Sequence, residues 1–229
     1  MNNPIRFTDV LGMGAGNFYD ENGKYSGTDG VNDKKKYIVT DKNENKEIKA
    51  TDKAGGTTQV ADISSAKELP SDVALGESLN VLDRTSANGG LREESSKVMN
   101  DGSVLKVETG GLPTIVDGVQ TAQTNLPATP DGKTSSDVEA TIHSHPTKVQ
   151  IQGDKAYPQT ATNPSGADNS VFKGYGTNII VGNLNQPTVT KNTNGTYTTG
   201  SAIRGAVIYN SSSQPKIQLT ERAIKRILK

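Results

Sequence analysis

The chain of 229 residues carries 25 Lys+Arg against 25 Asp+Glu and contains no cysteine. Balanced charge supplies no overall field that would favour nucleic acid, and the missing thiols exclude disulfides, thiolate metal ligands and cysteine nucleophiles together. With 31% hydrophobic and 4% aromatic residues, 24 Gly and 10 Pro, core material is scarce, so a modest core with long polar loops is expected.

Met1-Asn2-Asn3-Pro4 has neither a charged n-region nor an apolar h-region, so no signal peptide is expected. Asn3-Pro4 starts a turn, Ile5-Arg6-Phe7 is a short extended piece, and Gly12, Gly14 and Gly16 break structure. Asp20-Glu21-Asn22-Gly23 begins like a calcium loop but lacks the fuller acidic pattern and the closing Glu, so a plain turn is preferred. Residues 14–69 are polar and read as a linker or loosely packed segment, with one short strand at Tyr37-Ile38-Val39. Lys34-Lys35-Lys36 reads as a solvated face.

The main domain is expected over residues 70–229. Ser71 caps a helix whose Leu75, Leu79 and Leu82 share a face, and Asn88-Gly89-Gly90 stops it. Leu91–Met99 follows as a strand, Asn100-Asp101-Gly102 turns it, and Val104–Val107 returns. Thr114-Ile115-Val116 is another short strand, and 117–136 reads as loop.

Val138, Ala140 and Ile142 alternate as in a half-buried strand that ends at Pro146. After a long loop, 147–164, Ser165–Phe172 turns into a short helix, and Asn178–Val181 is a buried strand. Asn192–Gly195 turns a polar hairpin, Ala206–Tyr209 and Lys216–Leu219 are strands, and Thr220 caps a last helix stapled by Leu219 and Ile224. This order predicts an α+β fold, a mixed β-sheet flanked by helices. No apolar run of about 18 residues exists, so no membrane span is expected.

The His strand carries the chain's two histidines, His143 and His145, at i and i+2. Alternation points both imidazoles to one face. A third ligand such as Asp168 would complete a two-histidine, one-carboxylate metal site with a position left open for water. Zinc held in this way activates water and polarises a carbonyl. Hydrolysis further needs a base for the water and a donor for the oxyanion, and Ser165 lies one turn from Asp168. A Ser-His-Asp hydrolase lacks a Gly-x-Ser-x-Gly elbow here. An iron oxygenase could use two His and one carboxylate, but it would give Ser165, and Glu93 in the Leu91–Met99 strand, no role.

His143-Ser144-His145-Pro146 with Ser165-Gly166-Ala167-Asp168 resembles the JAMM (JAB/MPN) metalloprotease signature, His-x-His-Pro followed by Ser-x-x-Asp and preceded by a Glu. The resemblance covers roughly residues 70–210 and implies a JAMM/MPN-like, cytidine-deaminase-like core. It implies Zn2+ on His143, His145 and Asp168, Ser165 supporting the tetrahedral intermediate, and Glu93 or Glu94 as general acid/base, with Glu93 favoured. Residues 146–164 are longer than the family's usual loop and are expected as a lid or substrate-recognition element. Lys97 stands where the family has an apolar residue.

Asn2-Asn3-Pro4-Ile5-Arg6-Phe7 and Asp9-Val10-Leu11-Gly12-Met13 resemble the end of an Rhs core with its autocleavage motif, Val10 replacing the usual proline. That resemblance, confined to residues 1–13, implies a C-terminal toxin domain of a secreted polymorphic toxin, delivered to the target-cell cytoplasm. Its implied partners are the Rhs core and secretion machinery, a cognate immunity protein and an unidentified protein substrate, with no nucleic acid. The alternative is a non-catalytic JAMM-like binding or structural end-module.

Overall fold

The structure is a computed structural model that describes residues 16–229. The Asn-Pro turn, the extended piece and the Rhs-like segments of residues 1–13 lie outside the described residues. The chain divides into two compact units, Met1–Ser71 and Asp72–Lys229.

Residues 16–69, within the stretch expected as a linker or loosely packed segment, form a sheet and a helix with their own core. Strands β1 (Asn17–Asp20), β2 (Tyr25–Thr28), β3 (Lys36–Val39) and β4 (Ala66–Glu68) form a sheet in the order β2-β1-β3-β4, with helix α1 (Lys42–Lys53). Phe18, Tyr37, Val39, Ile48 and Ile63 form its core. The helix presents one buried aliphatic, Ile48, and one buried amide, Asn45. Asn45 is satisfied: Ser26 donates to its Oδ1 at 2.8 Å, and its Nδ2 donates to the Val39 carbonyl at 2.6 Å. Gly27 lets the helix close on β2, since a Cβ there would stand 2.7 Å from Ile48 Cγ2. Asp41 caps α1 by accepting from the amides of Asn43 and Glu44. Hydrogen bonds from Ser65 and Ser64 hold the Glu44 carboxyl down at about 2. Asp20 Oδ1 accepts from the amides of Asn22 and Lys24, so the Asp20–Gly23 stretch is the plain turn.

The second unit begins with helix α2 (Asp72–Ala87). Strands β5 (Ser95–Met99) and β6 (Val104–Lys106) follow, then a small hairpin of β7 (Thr114–Val116) and β8 (Val119–Thr121). β9 (Val138–Ser144) carries His143. A second hairpin, β10 (Gln150–Gln152) and β11 (Lys155–Tyr157), precedes helix α3 (Gly166–Phe172) and strand β12 (Asn178–Asn183). A third hairpin, β13 (Val189–Lys191) and β14 (Tyr197–Thr199), leads to β15 (Arg204–Tyr209), β16 (Pro215–Thr220) and helix α4 (Glu221–Ile227). The main sheet has the order β16-β15-β12-β9-β5-β6. β9 and β12 pair in parallel, and the other neighbours are antiparallel. Four helices and several sheets among the described residues make this an α+β protein.

Alternation gives the main sheet two faces. One lies under α2: the Thr85 and Ser144 hydroxyls share a hydrogen bond at 2.6 Å, and Arg84 reaches both Ser96 and Glu94. The expected Leu75–Leu79–Leu82 stripe is adjusted here, because Leu79 is only partly buried and Ser78 and Thr85 take core-facing positions. Both hydroxyls satisfy themselves on helix carbonyls, of Leu75 and Val81. The other face carries Ile180, Val207 and Tyr209, packed with Ala161, Leu184 and Phe172 into a second core cluster.

Glu77 ties α2 to β5. It accepts from Arg84 at 3.0 Å, Ser96 at 2.7 Å and Asn80 at 2.8 Å. Burial works against its charge, but these donors outweigh burial and hold its carboxyl below the ordinary 4.5. A depressed carboxyl stabilises the fold fully above the unfolded value and loses that contribution as pH falls through the folded one. Glu77→Gln should therefore cost about 2 kcal/mol at pH 7. The gap to the parent should shrink below pH 4.5. Urea denaturation at both pH values measures it.

Candidate metal centre

His143 lies near the end of β9 and His145 just past it, where neighbouring strands fix their direction. His143 stands opposite Ser95 on β5 and beside Ile180 on β12. The two imidazole centroids are 5.4 Å apart, so strand alternation brings both rings to one face as expected. Phe172, 6.3 Å from His143 and 5.3 Å from Tyr209 (ring centroids), backs them with an apolar wall.

Asp168 arrives from α3, after the segment expected to be a long open loop. That segment instead contains the β10–β11 hairpin, and its return is pinned to the sheet. Ala161 is fully buried, donates its amide to the Asn183 carbonyl at 2.8 Å, and accepts from Tyr209 Oη at 2.8 Å. Asn183 Nδ2 also bridges to the Thr147 carbonyl at 3.0 Å, holding the start of the segment against its end. α3 then begins on a capping box. The Asp168 amide donates to Ser165 Oγ at 3.1 Å, and the Ser165 amide donates to Asp168 Oδ2 at 2.6 Å. The cap that starts the helix thus also orients the carboxylate.

Asp168 Oδ1 lies 3.0 Å from His143 Nε2, and Oδ2 lies 3.2 Å from His145 Nε2. His145 Nδ1 donates to the Thr160 carbonyl at 2.7 Å. That bond commits the proton to Nδ1 and leaves Nε2 as the ligating nitrogen, the outer-shell arrangement of metal-binding histidines. His143 Nε2 is buried and, although close to Asp168, has no aligned hydrogen-bond partner. A cation between the rings and the carboxylate would satisfy it. Among the described residues, His143, His145 and Asp168 form the one group of three such side chains able to hold a metal ion, their ligand atoms lying within 4.8 Å of one another. The donors are two imidazole nitrogens and a carboxylate oxygen, which suit a divalent transition ion.

The electrostatics agree with that arrangement. Burial opposes the Asp168 charge, yet the two imidazoles hold its carboxyl well below the usual carboxylate range. Burial disfavours a charged His145, but Asp168 and Glu93 outweigh it and raise the imidazole. Burial, with Asp168 adding, pushes the Glu93 carboxyl up against the pull of His143 and His145. Tyr209 is pushed up to about 12 by burial and by Asp168.

The choice between Glu93 and Glu94 follows from strand parity. Ser144 donates its amide to the Glu94 carbonyl at 2.9 Å, and the Glu94 amide donates to Ser144 Oγ at 2.9 Å. Glu94 therefore shares the α2 face with Ser144, where Thr109, Asn88 and Arg84 occupy its carboxylate. Glu93 falls on the histidine face, buried, and among the described residues its carboxylate has no hydrogen-bond partner. Ser165 is brought to the site through Asp168; its oxygen accepts from the Asp168 amide, which leaves its own proton to donate. Lys97, two residues from Ser95 on this face, is buried, with Nζ donating to Thr129 Oγ1 at 3.0 Å and lying 5.2 Å from the Tyr175 ring centroid.

Gly110 holds Glu93 in register. Its amide donates to the Glu93 carbonyl at 2.9 Å, and a Cβ there would stand 2.2 Å from the Gln123 carbonyl oxygen. Neither backbone can swing aside as a side chain would, so Gly110→Ala should destabilise the second unit by about 1–3 kcal/mol in urea denaturation.

Sequence reasoning missed Thr160, Phe172 and Gly110. Thr160 contributes only a carbonyl, so no side-chain pattern marks it. Phe172 was visible as the last apolar residue of α3 but not as a wall of the site.

No family model, no curated protein and no solved structure matches this chain.

Proposed function

We propose that this chain is a zinc-dependent peptidase or isopeptidase of JAMM type. The observation that supports it most is the convergence of His143, His145 and Asp168 with an unpaired, buried Glu93 on the same sheet face. His143, His145 and Asp168 would hold the ion, with Thr160 fixing the His145 tautomer. When bound, zinc supplies Lewis acidity, which activates a water and polarises an amide carbonyl. Glu93 takes the proton of the attacking water and returns it to the leaving amine, a role that suits a carboxyl raised by burial. Ser165 donates a hydrogen bond from its hydroxyl to the developing oxyanion. Phe172 keeps bulk water from the histidine edge.

The Rhs-like residues 1–13 add the biological setting: a C-terminal toxin domain of a secreted polymorphic toxin, acting on a protein in the target-cell cytoplasm and neutralised by an immunity protein. No helix among the described residues is long and apolar enough to cross a membrane. The test is cytoplasmic expression in bacteria of the parent beside His143→Ala and Glu93→Gln. The parent should arrest growth and both variants should not; equal toxicity of all three would refute a catalytic toxin.

A further inference from the structure

Ala140, Ile142 and Ser144 fall on one face of β9, the face under α2. The first two are buried apolar residues, and Ser144 is buried completely. A hydroxyl at the end of an apolar row costs free energy unless its hydrogen bonds are made. This one stands between His143 and His145 in the chain, and its bonds go to specific partners. It shares a hydrogen bond at 2.6 Å with Thr85 of α2, whose hydroxyl also reaches the Val81 carbonyl at 2.9 Å. It accepts from the Glu94 amide at 2.9 Å.

The Glu94 bond marks where the β5–β9 ladder ends. Ser95 opposite His143 is the last regular pair, and Glu94 would stand opposite Ser144 next. In a hydrogen-bonded antiparallel pair the two residues exchange both amide–carbonyl bonds. Here one is kept, from the Ser144 amide to the Glu94 carbonyl at 2.9 Å, and the return bond goes to Ser144 Oγ instead of the carbonyl. A side chain thereby takes the place of a backbone acceptor, and the chain leaves the sheet just before β5 starts. Glu93, one residue further back, is held on its other side by the Gly110 amide at 2.9 Å. Because the Glu93 carboxylate has no hydrogen-bond partner among the described residues, these backbone bonds set where it lies.

We propose that Ser144 is a positioning residue, whose hydroxyl clamps the Glu94 amide and so holds the Glu93 carboxylate towards the candidate metal centre. This rests on the peptidase reading above, which makes Glu93 the base. The side chain of Glu94 is not part of the clamp; only its backbone is. Ser144→Ala leaves a buried amide without its acceptor, and the chain at Glu93 shifts as that amide seeks another. The ligands are held by other bonds: His143 by strand pairing on both sides, His145 by the Thr160 carbonyl, and Asp168 by the Ser165 amide. Loss of the hydroxyl therefore moves the base and leaves the ligands. A displacement of about 1 Å costs a positioned group on the order of 100-fold in rate. Ser144→Thr keeps the oxygen and with it the clamp.

Nuclear magnetic resonance on Co2+-loaded protein reads the clamp without any substrate. The paramagnetic shift of the Glu93 amide reports its position relative to the ion, and hydrogen exchange of the Glu94 amide reports its bond to Ser144. In Ser144→Ala the Glu93 shift should change and the Glu94 amide should exchange at least about tenfold faster, with Co2+ content unchanged. Ser144→Thr should restore both signals. In bacteria, Ser144→Ala should need at least about tenfold more expressed protein than the parent for the same growth arrest, and Ser144→Thr should not. If Ser144→Ala fails to fold, Ser144→Cys fills the space with a weaker acceptor and should still speed Glu94 exchange at least about threefold. An unchanged Glu93 shift with a protected Glu94 amide would overturn the clamp. So would loss of Co2+ binding in step with toxicity, which would make Ser144 a support for the ligands. A parent without toxicity refutes the peptidase toxin and keeps the clamp if the Glu93 and Glu94 signals respond. A fully toxic Ser144→Ala with unmoved signals refutes the clamp and keeps the peptidase.

Discussion

Glu93→Gln should keep its zinc and lose peptide hydrolysis by about 10²–10⁴-fold, the usual contribution of a positioned general acid/base. The amide is nearly the same size but cannot serve as a base, and the three ligands and the bonds that orient them are untouched, so zinc should still be held. Glu94→Gln is the control that gives this result its meaning. Its carboxylate is held by Thr109, Asn88 and Arg84 on the α2 side, so replacing it should cost about 1–3 kcal/mol of stability and leave turnover within a few-fold. Parallel measurements of kcat/KM, zinc content and urea midpoint distinguish the two. If Glu94→Gln lost activity and Glu93→Gln kept it, the assignment by strand parity would be wrong.

Asp168→Ala should lower zinc affinity by more than about 100-fold, beyond what outer-shell changes cost. It removes one of three ligands and leaves both Nε2 atoms without the carboxylate they face. It also removes half of the α3 capping box, which adds about 1 kcal/mol of destabilisation. Ser165→Ala separates the two effects. It loses the cap on the Asp168 amide at similar cost in stability, yet leaves all three ligands, so its zinc affinity should stay within about tenfold of the parent. Competition against a chelator of known affinity reads both variants. A Ser165→Ala loss as deep as that of Asp168→Ala would mean that the cap, rather than the carboxylate, governs the centre.

The centre was legible because its signals are local. Val138, Ala140 and Ile142 announce a strand, two histidines at i and i+2 must share a face, and Ser165 with Asp168 is a helix-start pattern. The parity of Glu93 and Glu94 was not legible, since adjacent residues on an extended chain are equivalent until a partner strand is fixed. Ser144, fifty residues away, fixes it. The first unit was obscured by its composition: α1 buries a single aliphatic, and β2 is Tyr-Ser-Gly-Thr, whose Gly27 makes sense only against Ile48. The cap signal at Asp41 and Glu44 was nonetheless present. The two hairpins over 114–121 and 150–157 also left signals, Asp117-Gly118 between two valines and Gly153-Asp154 between polar strands. Their strands are three residues each, too short for alternation to stand out. What the sequence could not carry was how a 19-residue segment returns Asp168 to the histidines. Ala161 does it, by burying a methyl group and two backbone hydrogen bonds in the core.

The most direct test of the centre is zinc stoichiometry after equilibrium dialysis, for the parent and for a triple variant, His143→Ala, His145→Ala and Asp168→Ala. The parent should hold one zinc per chain and the triple variant none. A parent that stays empty in excess zinc, or a triple variant that binds as much as the parent, would contradict a metal centre at this site.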